Sequence, residues 1–252
     1  MQAVRLPAVA GTFYPRDPLE LRDVVSRLLG AAPPGPTPKA LIAPHAGYAY
    51  SGPVAASAFV RVDHAPFFRV VLLGPSHFVY LRGLALPDAR AMRTPLGDVP
   101  VEDVRLPRDG AVHQREHSLE VELPFLQVTL RAAFTVAPLA VGDAGPDEVA
   151  DQLERLWGGP ETLVVVSSDL SHYLPYEDAV RVDATTAKEI LALGRLTHDD
   201  ACGADPVNGL LLVGKRRGMR AELLDLRNSG DTAGDKREVV GYGAFAFYEK
   251  TA

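Results

Sequence analysis

Arg69-Val70-Val71-Leu72-Leu73-Gly74-Pro75-Ser76-His77 is the stretch that decides the fold. Its branched and leucine residues run without a polar interruption, so the strand they form needs cover on both faces. Gly74-Pro75 then stops the run and hands the chain to a histidine. The same design recurs twice. Lys39-Ala40-Leu41-Ile42-Ala43 leads into Pro44-His45, and Thr162-Leu163-Val164-Val165-Val166 leads through Ser167-Ser168 to Asp169 and His172. Strands buried on both faces belong to parallel sheets with helices on either side, and in open α/β sheets ligands bind beyond the carboxyl ends of the strands. Titratable groups at several strand exits therefore point to a site at one sheet edge.

Working outward, Gly11 to Gly30 reads as a loop and a helix, with Asp17 as N-cap, Pro18 at the first helical position and Gly30 as the stop. Ala31 to Pro38 is a proline-rich crossover into the first strand. A helix is expected through Val54 to Phe59, a short strand at Leu84 to Leu86, and a turn at Thr94-Pro95-Leu96-Gly97-Asp98. Glu116 to Leu130 looks helical with a kink near Pro124. Further strands are expected at Phe134 to Val141, Ala221 to Leu226 and Val239 to Tyr248. Helices are expected at Pro146 to Trp157, at Glu177 to Leu193 and after Asp205-Pro206. This alternation predicts one α/β domain over residues 1 to 252, a mostly parallel or mixed sheet flanked by helices. Asn228-Ser229-Gly230-Asp231 with Gly234 reads as a flexible polar loop.

The chain has 252 residues, 47% hydrophobic content and a formal net charge of -6. No basic run is present, which argues against nucleic acid or an anionic membrane as partner. No stretch approaches the roughly 20 apolar residues of a membrane span, and the first residues lack a signal-peptide core, so a cytoplasmic location is expected. A single cysteine, Cys202, excludes an internal disulfide.

His45 and His77 follow their strands in similar Pro-His and Gly-Pro-Ser-His exits. Ser76 does not make an esterase elbow, because Phe78 stands where that turn needs glycine. Asp169 and His172 are three apart, a spacing that lets a carboxylate fix a histidine tautomer, or lets Asp169 simply cap the turn. His117, with Glu120 one turn on, either lines the same pocket or makes a surface pair. His64, His113 and His198 lie in polar surroundings and read as solvated. Cys202 sits in a polar connection rather than an apolar stripe, a setting for ligation or reactivity. Two imidazoles and a thiolate suit iron(II), copper or zinc better than magnesium or calcium.

The segments AGTFYP, APHAGYAYSG, LLGPSH, TPLGD, EHSLEVELPFLQ, VVVSSDLSHY, ACG with DPVNGLLL, and VVGYGAFAF resemble, in order and nearly end to end, the Memo family. That family is similar in fold to the class III extradiol ring-cleaving dioxygenases, which use non-haem iron(II). The resemblance implies His45, His77 and Cys202 as metal ligands, Asp169 and His172 beside the metal, and His117 as a further pocket histidine. Cysteine in place of the dioxygenase carboxylate separates the pattern from the ring-cleaving enzymes. Two functions are then expected. One is a metal-dependent oxidoreductase with His172 as acid/base, oriented by Asp169, and His117 beside it, with iron(II) as first candidate and copper or zinc next. The other is a metal-holding protein whose pocket takes a small molecule, a peptide or a partner. Neither the substrate nor the oligomeric state is expressed in these motifs.

Overall fold

The computed structural model describes residues 3–130 and 133–250, so both termini and residues 131–132 of the expected 1–252 domain lie outside the described residues. In chain order the first half contains α1 (Pro18–Ala31), β1 (Ala40–Ala43), α2 (Gly52–Phe59), β2 (Arg69–Pro75), β3 (Leu84–Ala85), β4 (Ala91–Thr94), β5 (Gly97–Pro100), α3 (Gly110–Gln114) and α4 (Leu123–Thr129). The second half contains β6 (Thr135–Val141), α5 (Pro146–Leu156), β7 (Thr162–Ser167), β8 (His172–Leu174), α6 (Tyr176–Leu191), α7 (Ala204–Arg217), β9 (Arg220–Asn228), α8 (Ser229–Thr232) and β10 (Val239–Tyr248). The main sheet runs β3-β6-β2-β7-β1-β10-β8, with β9 also paired to β10. Its centre, β6-β2-β7-β1, is parallel, and the outer pairings are antiparallel. The α/β class and the mixed, mostly parallel central sheet are thus as expected.

Alternation along each central strand sends residues to two cores. Leu41, Val70, Leu72 and Val165 face one, which packs on α1, α2 and α4 through Leu21, Phe59 and Phe125. Ile42, Val71, Leu73, Val164 and Val166 face the other, which packs on α5, α6 and α7 through Leu153, Ile190 and Leu210. All of these side chains are buried, each gaining about 1.5–3 kcal/mol from leaving water. Apolar residues on both faces explain why the runs read as continuous rather than alternating.

Several local expectations are corrected. Asp17 does cap α1, accepting from the backbone of Leu19 and Glu20, but the helix passes through Gly30 and ends at Ala31. Pro33 and Pro34, which disfavour a helical conformation in the residue before them, stop it. Pro124 starts α4 rather than kinking a longer helix, since its missing N–H costs nothing in a first turn. Only a 3-10 turn over Glu120–Glu122 precedes it. The turn at 94–98 joins β4 and β5 as a small hairpin. The supposed flexible loop at Asn228 is instead a capped turn: Asn228 accepts from Gly230 N, Asp231 accepts from Asn228 N, and Asn228 and Ser229 are buried.

At the amino end of the parallel strands, buried Lys39 donates from Nζ to the carbonyls of Trp157, Gly159 and Thr162 at 2.8, 2.7 and 2.7 Å. Near the opposite end, the Glu120 carboxylate accepts from Arg5, from the backbone of Ala8 and Val9, and from Tyr14. It ties the N-terminal segment to the turn before α4 and is not hydrogen-bonded to His117. No helix among the described residues is long and apolar enough to cross a membrane.

Candidate metal centre

Because β1, β2 and β7 are parallel and in register, their exits emerge side by side: Ala43 pairs with Ser167, and Leu73 with Val166. That register brings His45 and His77 together at 5.2 Å between ring centroids, across sequence positions 32 residues apart. His117 arrives from the segment before α4 and stacks on His77 at 4.8 Å and 15°. Ring nitrogens of His45, His77 and His117 all lie within 4.8 Å of one another, a group that could hold a metal ion.

One nitrogen of each ring has a protein neighbour. His45 Nδ1 lies 2.7 Å from Ser167 Oγ, whose hydroxyl donates to the Ser118 carbonyl at 2.6 Å, also stands 2.8 Å from Glu122, and so accepts from the imidazole. His77 Nδ1 lies 2.9 Å from Glu116 Oε1, and His117 Nδ1 lies 3.5 Å from that same oxygen. Glu116 also accepts from the backbone of His77, His117 and Ser118. For His45 and His77 the hydrogen-bonded Nδ1 leaves Nε2 to face the cluster, the arrangement in which an outer carboxylate or hydroxyl fixes a ligand's tautomer.

The electrostatics favour a neutral imidazole at His45 and at His117 and an ionised Glu116. Burial holds the His45 imidazole well below its usual range, reinforced by repulsion from His77 and His117. Burial likewise lowers His117 to about 4, against the opposing pull of Glu116. For Glu116 burial acts upward, but the hydrogen bond and charge of His77 and two backbone N–H groups outweigh it, leaving the carboxyl at about 2. Neutral imidazole is the form that ligates. The three imidazoles could thus hold a metal ion.

The remaining expected residues surround this cluster in different ways. Cys202 Sγ stands 3.3 Å from His45 Nε2 and 3.9 Å from Ser168 Oγ, and burial with the nearby Asp169 pushes its thiol up to about 12. Gly203, on whose backbone a Cβ would lie 2.7 Å from that of Ser168, lets the Cys202 segment approach the end of β7. Asp169 is buried and accepts from His45 N at 2.8 Å, and burial raises its carboxyl to about 7. It does not orient His172. That histidine opens β8 rather than a helical turn, and its Nδ1 donates to the Leu170 carbonyl at 2.8 Å. Burial lowers the His172 imidazole, with repulsion from His77 adding to it, and His172 in turn depresses His45.

Of the three histidines read as solvated, His64 and His198 are exposed, at 59% and 74% of the side chain. His113 is buried, with Nε2 donating to the Ala85 carbonyl at 2.9 Å. The polar residues around it in sequence misled, because α3 turns that side chain inward. The sequence alone does not mark Glu116 and Ser167 as site residues. Glu116 carried a signal, a carboxylate adjacent to a candidate histidine, but its principal partner His77 is 39 residues away. Ser167 looked like the tail of a strand.

The fold and this cluster define an α/β protein with a candidate metal centre at the carboxyl edge of a mostly parallel sheet. The chain belongs to the family described as Memo-like protein, whose model matches residues 5–246. It is similar to a MEMO1 family protein of Sulfolobus acidocaldarius, 33% identical with 97% of this chain and 99% of the relative covered. A MEMO1 family protein of Aquifex aeolicus is 36% identical over 97% and 99% of the two chains, and one of Methanopyrus kandleri is 35% identical over 96% and 98%.

Proposed function

We propose that this chain binds one divalent metal at the sheet edge and uses it in an oxidoreductase reaction on a small molecule. The observation that carries the metal reading is the convergence of three imidazoles, each with its Nδ1 beside a protein oxygen. His45 and His77 are the ligands in any version. His117 is the third nitrogen within reach, and Cys202, against His45, supplies a sulphur donor. Iron(II) is the first candidate, followed by copper and zinc, since imidazole with thiolate disfavours hard ions.

A cavity of about 390 Å³ supports the small-molecule part. His77 and Cys202 line it, with Tyr80, Asp143, His198 and Asp205 around them, and its size suits a compact ligand. When bound, the metal supplies Lewis-acid or one-electron chemistry at the ligand. The protein's own groups do the rest. Glu116 holds two rings in place, Ser167 fixes a third, and Asp169, with its carboxyl near 7, can take or give a proton at neutral pH beside Cys202 and His45. His172 keeps Nε2 free for the same task.

A second reading, a metal-holding protein that docks a peptide or partner, is favoured by the aromatics next to the cluster. Phe78, whose ring is 5.8 Å from that of His117, is 51% exposed, and Tyr173, beside His172, is 72% exposed.

Metal analysis tests the site. The purified protein is expected to hold about one equivalent of iron, copper or zinc, and His45→Ala, His77→Ala and His117→Ala to lose it while staying folded; full content in the first two would refute the site. Cys202→Ser decides whether sulphur is a ligand, through loss of preference for copper over iron(II). Anaerobic iron(II) loading followed by oxygen uptake with a panel of catechols and other small aromatics separates the two readings, because only the oxidoreductase consumes oxygen with substrate.

A further inference from the structure

A cavity of about 920 Å³ lies away from the histidine cluster. It lies where α1, α2 and β9 meet the loop before α1, and none of His45, His77, His117, Asp169, His172 or Cys202 lines it. Its volume is at the upper end of the range for small-molecule sites.

The walls are of two kinds. Val24 and Leu28 of α1, Pro33, and Pro53 of α2 make an apolar side. The polar side carries Arg16, Arg27 and Arg227 against only two carboxylates, Glu20 and Asp225. Asp225 is committed: it binds Arg227 through both guanidinium arms and accepts from Ser57 Oγ at 3.1 Å. Arg16 reaches only the Ala10 carbonyl, and Arg27 only the Asp23 carbonyl, so neither has an ion-pair partner among the described residues. A net cationic wall facing an apolar one is unexpected packing for a chain whose formal charge is -6. Planar guanidiniums are suited to carboxylate recognition.

We propose that this cavity is a second ligand site, separate from the metal centre, for a small amphipathic carboxylate: an apolar chain lying along α1 and α2, with its head group on Arg16 and Arg27. The site adjoins the metal centre at Phe13. Phe13 lines the cavity, and its ring packs 4.9 Å from that of His117, while its carbonyl accepts from Tyr48 N just beyond the His45 turn. Filling the cavity is therefore felt at His117.

Titration calorimetry of decanoate, decanol and decylamine into the chelator-treated full chain tests this. Decanoate is expected to bind saturably at about one equivalent, with decanol at least about tenfold weaker and decylamine without measurable binding. Arg16→Gln with Arg27→Gln should weaken decanoate about tenfold or more. Ala31→Trp should block it, since Ala31 is an exposed cavity residue whose replacement narrows the space without disturbing the core. Circular dichroism establishes that both variants are folded. In the wild type, decanoate should also shift the His117 ring resonances. Absent decanoate binding, decanol binding as tightly as decanoate, or an affinity unchanged in either variant would overturn the proposal. These outcomes are independent of metal content, which is measured on untreated protein.

Discussion

Glu116 is the residue on which the geometry of the candidate centre turns. One buried carboxylate meets His77 from both its ring and backbone and meets His117 from its backbone and, at longer range, its ring. Its ionised form is held down to about 2, so the charge is present across the whole physiological range. Glu116→Gln keeps the shape but removes the charge that draws the two Nδ1–H groups inward, leaving the rings free to adopt the other tautomer. Metal affinity is expected to fall about 10–100-fold, as for other outer-shell partners, with the fold retained. Competition with a metal-binding dye measures it. An affinity unchanged from wild type would show that the rings are held by packing alone.

At the level of elements, one end of the sheet is closed for stability and the other carries the candidate metal centre. The carboxyl ends of β1, β2 and β7 present His45, His77 and Asp169, whereas Lys39 closes the amino end by donating to three carbonyls of the segment entering β7. Burial lowers the Lys39 ammonium, yet three charge-assisted hydrogen bonds compensate for its desolvation. Lys39→Met fills much of the volume but leaves three carbonyls without that donor, so a loss of about 3 kcal/mol or more is expected. Urea unfolding of the variant checks the magnitude. Metal content should be unchanged, because the substitution is at the far edge; a parallel loss of metal would mean that the sheet register itself depends on Lys39.

For the molecule as a whole, buried titratable groups set a pH profile with two opposing contributions. Burial lowers His113 to about 4 from an ordinary 6.5. Between those values the unfolded chain binds a proton that the folded chain refuses, so stability is lost as pH falls from 6.5 to 4, by about 3 kcal/mol for this group. His117 acts in the same direction over the same window. Glu116, lowered to about 2 from 4.5, adds a further loss as pH falls through that lower window. Asp169 does the reverse: raised by burial to about 7 from 3.8, it makes the fold less stable as pH rises between them. Chelator-treated His113→Gln, which keeps a donor for the Ala85 carbonyl, is therefore expected to unfold less steeply with acid between pH 6.5 and 4. Denaturant midpoints recorded across that range decide it, and a slope equal to that of wild type would remove His113 from the account.

The central strands were legible in the chain because burial on both faces leaves no choice of residue: Val70 to Leu73 and Leu163 to Val166 are apolar at every position, and runs of that kind have few other uses. Asp17 and Pro18 marked a helix start for an equally local reason, a side chain capping backbone two and three residues on. His45, His77, Asp169, His172 and Cys202 could be singled out because each stands where an apolar run stops, and His117 through its spacing to Glu120 and the family resemblance. Their partners could not be read in the same way. Glu116 serves His77 across 39 positions, Ser167 serves His45 across 122, and Asp169 turns to the His45 backbone rather than to its neighbour His172. Those pairings depend on the register of parallel strands joined by long crossovers. That register is set by side chains packing between layers, so it exists only once the tertiary structure has formed.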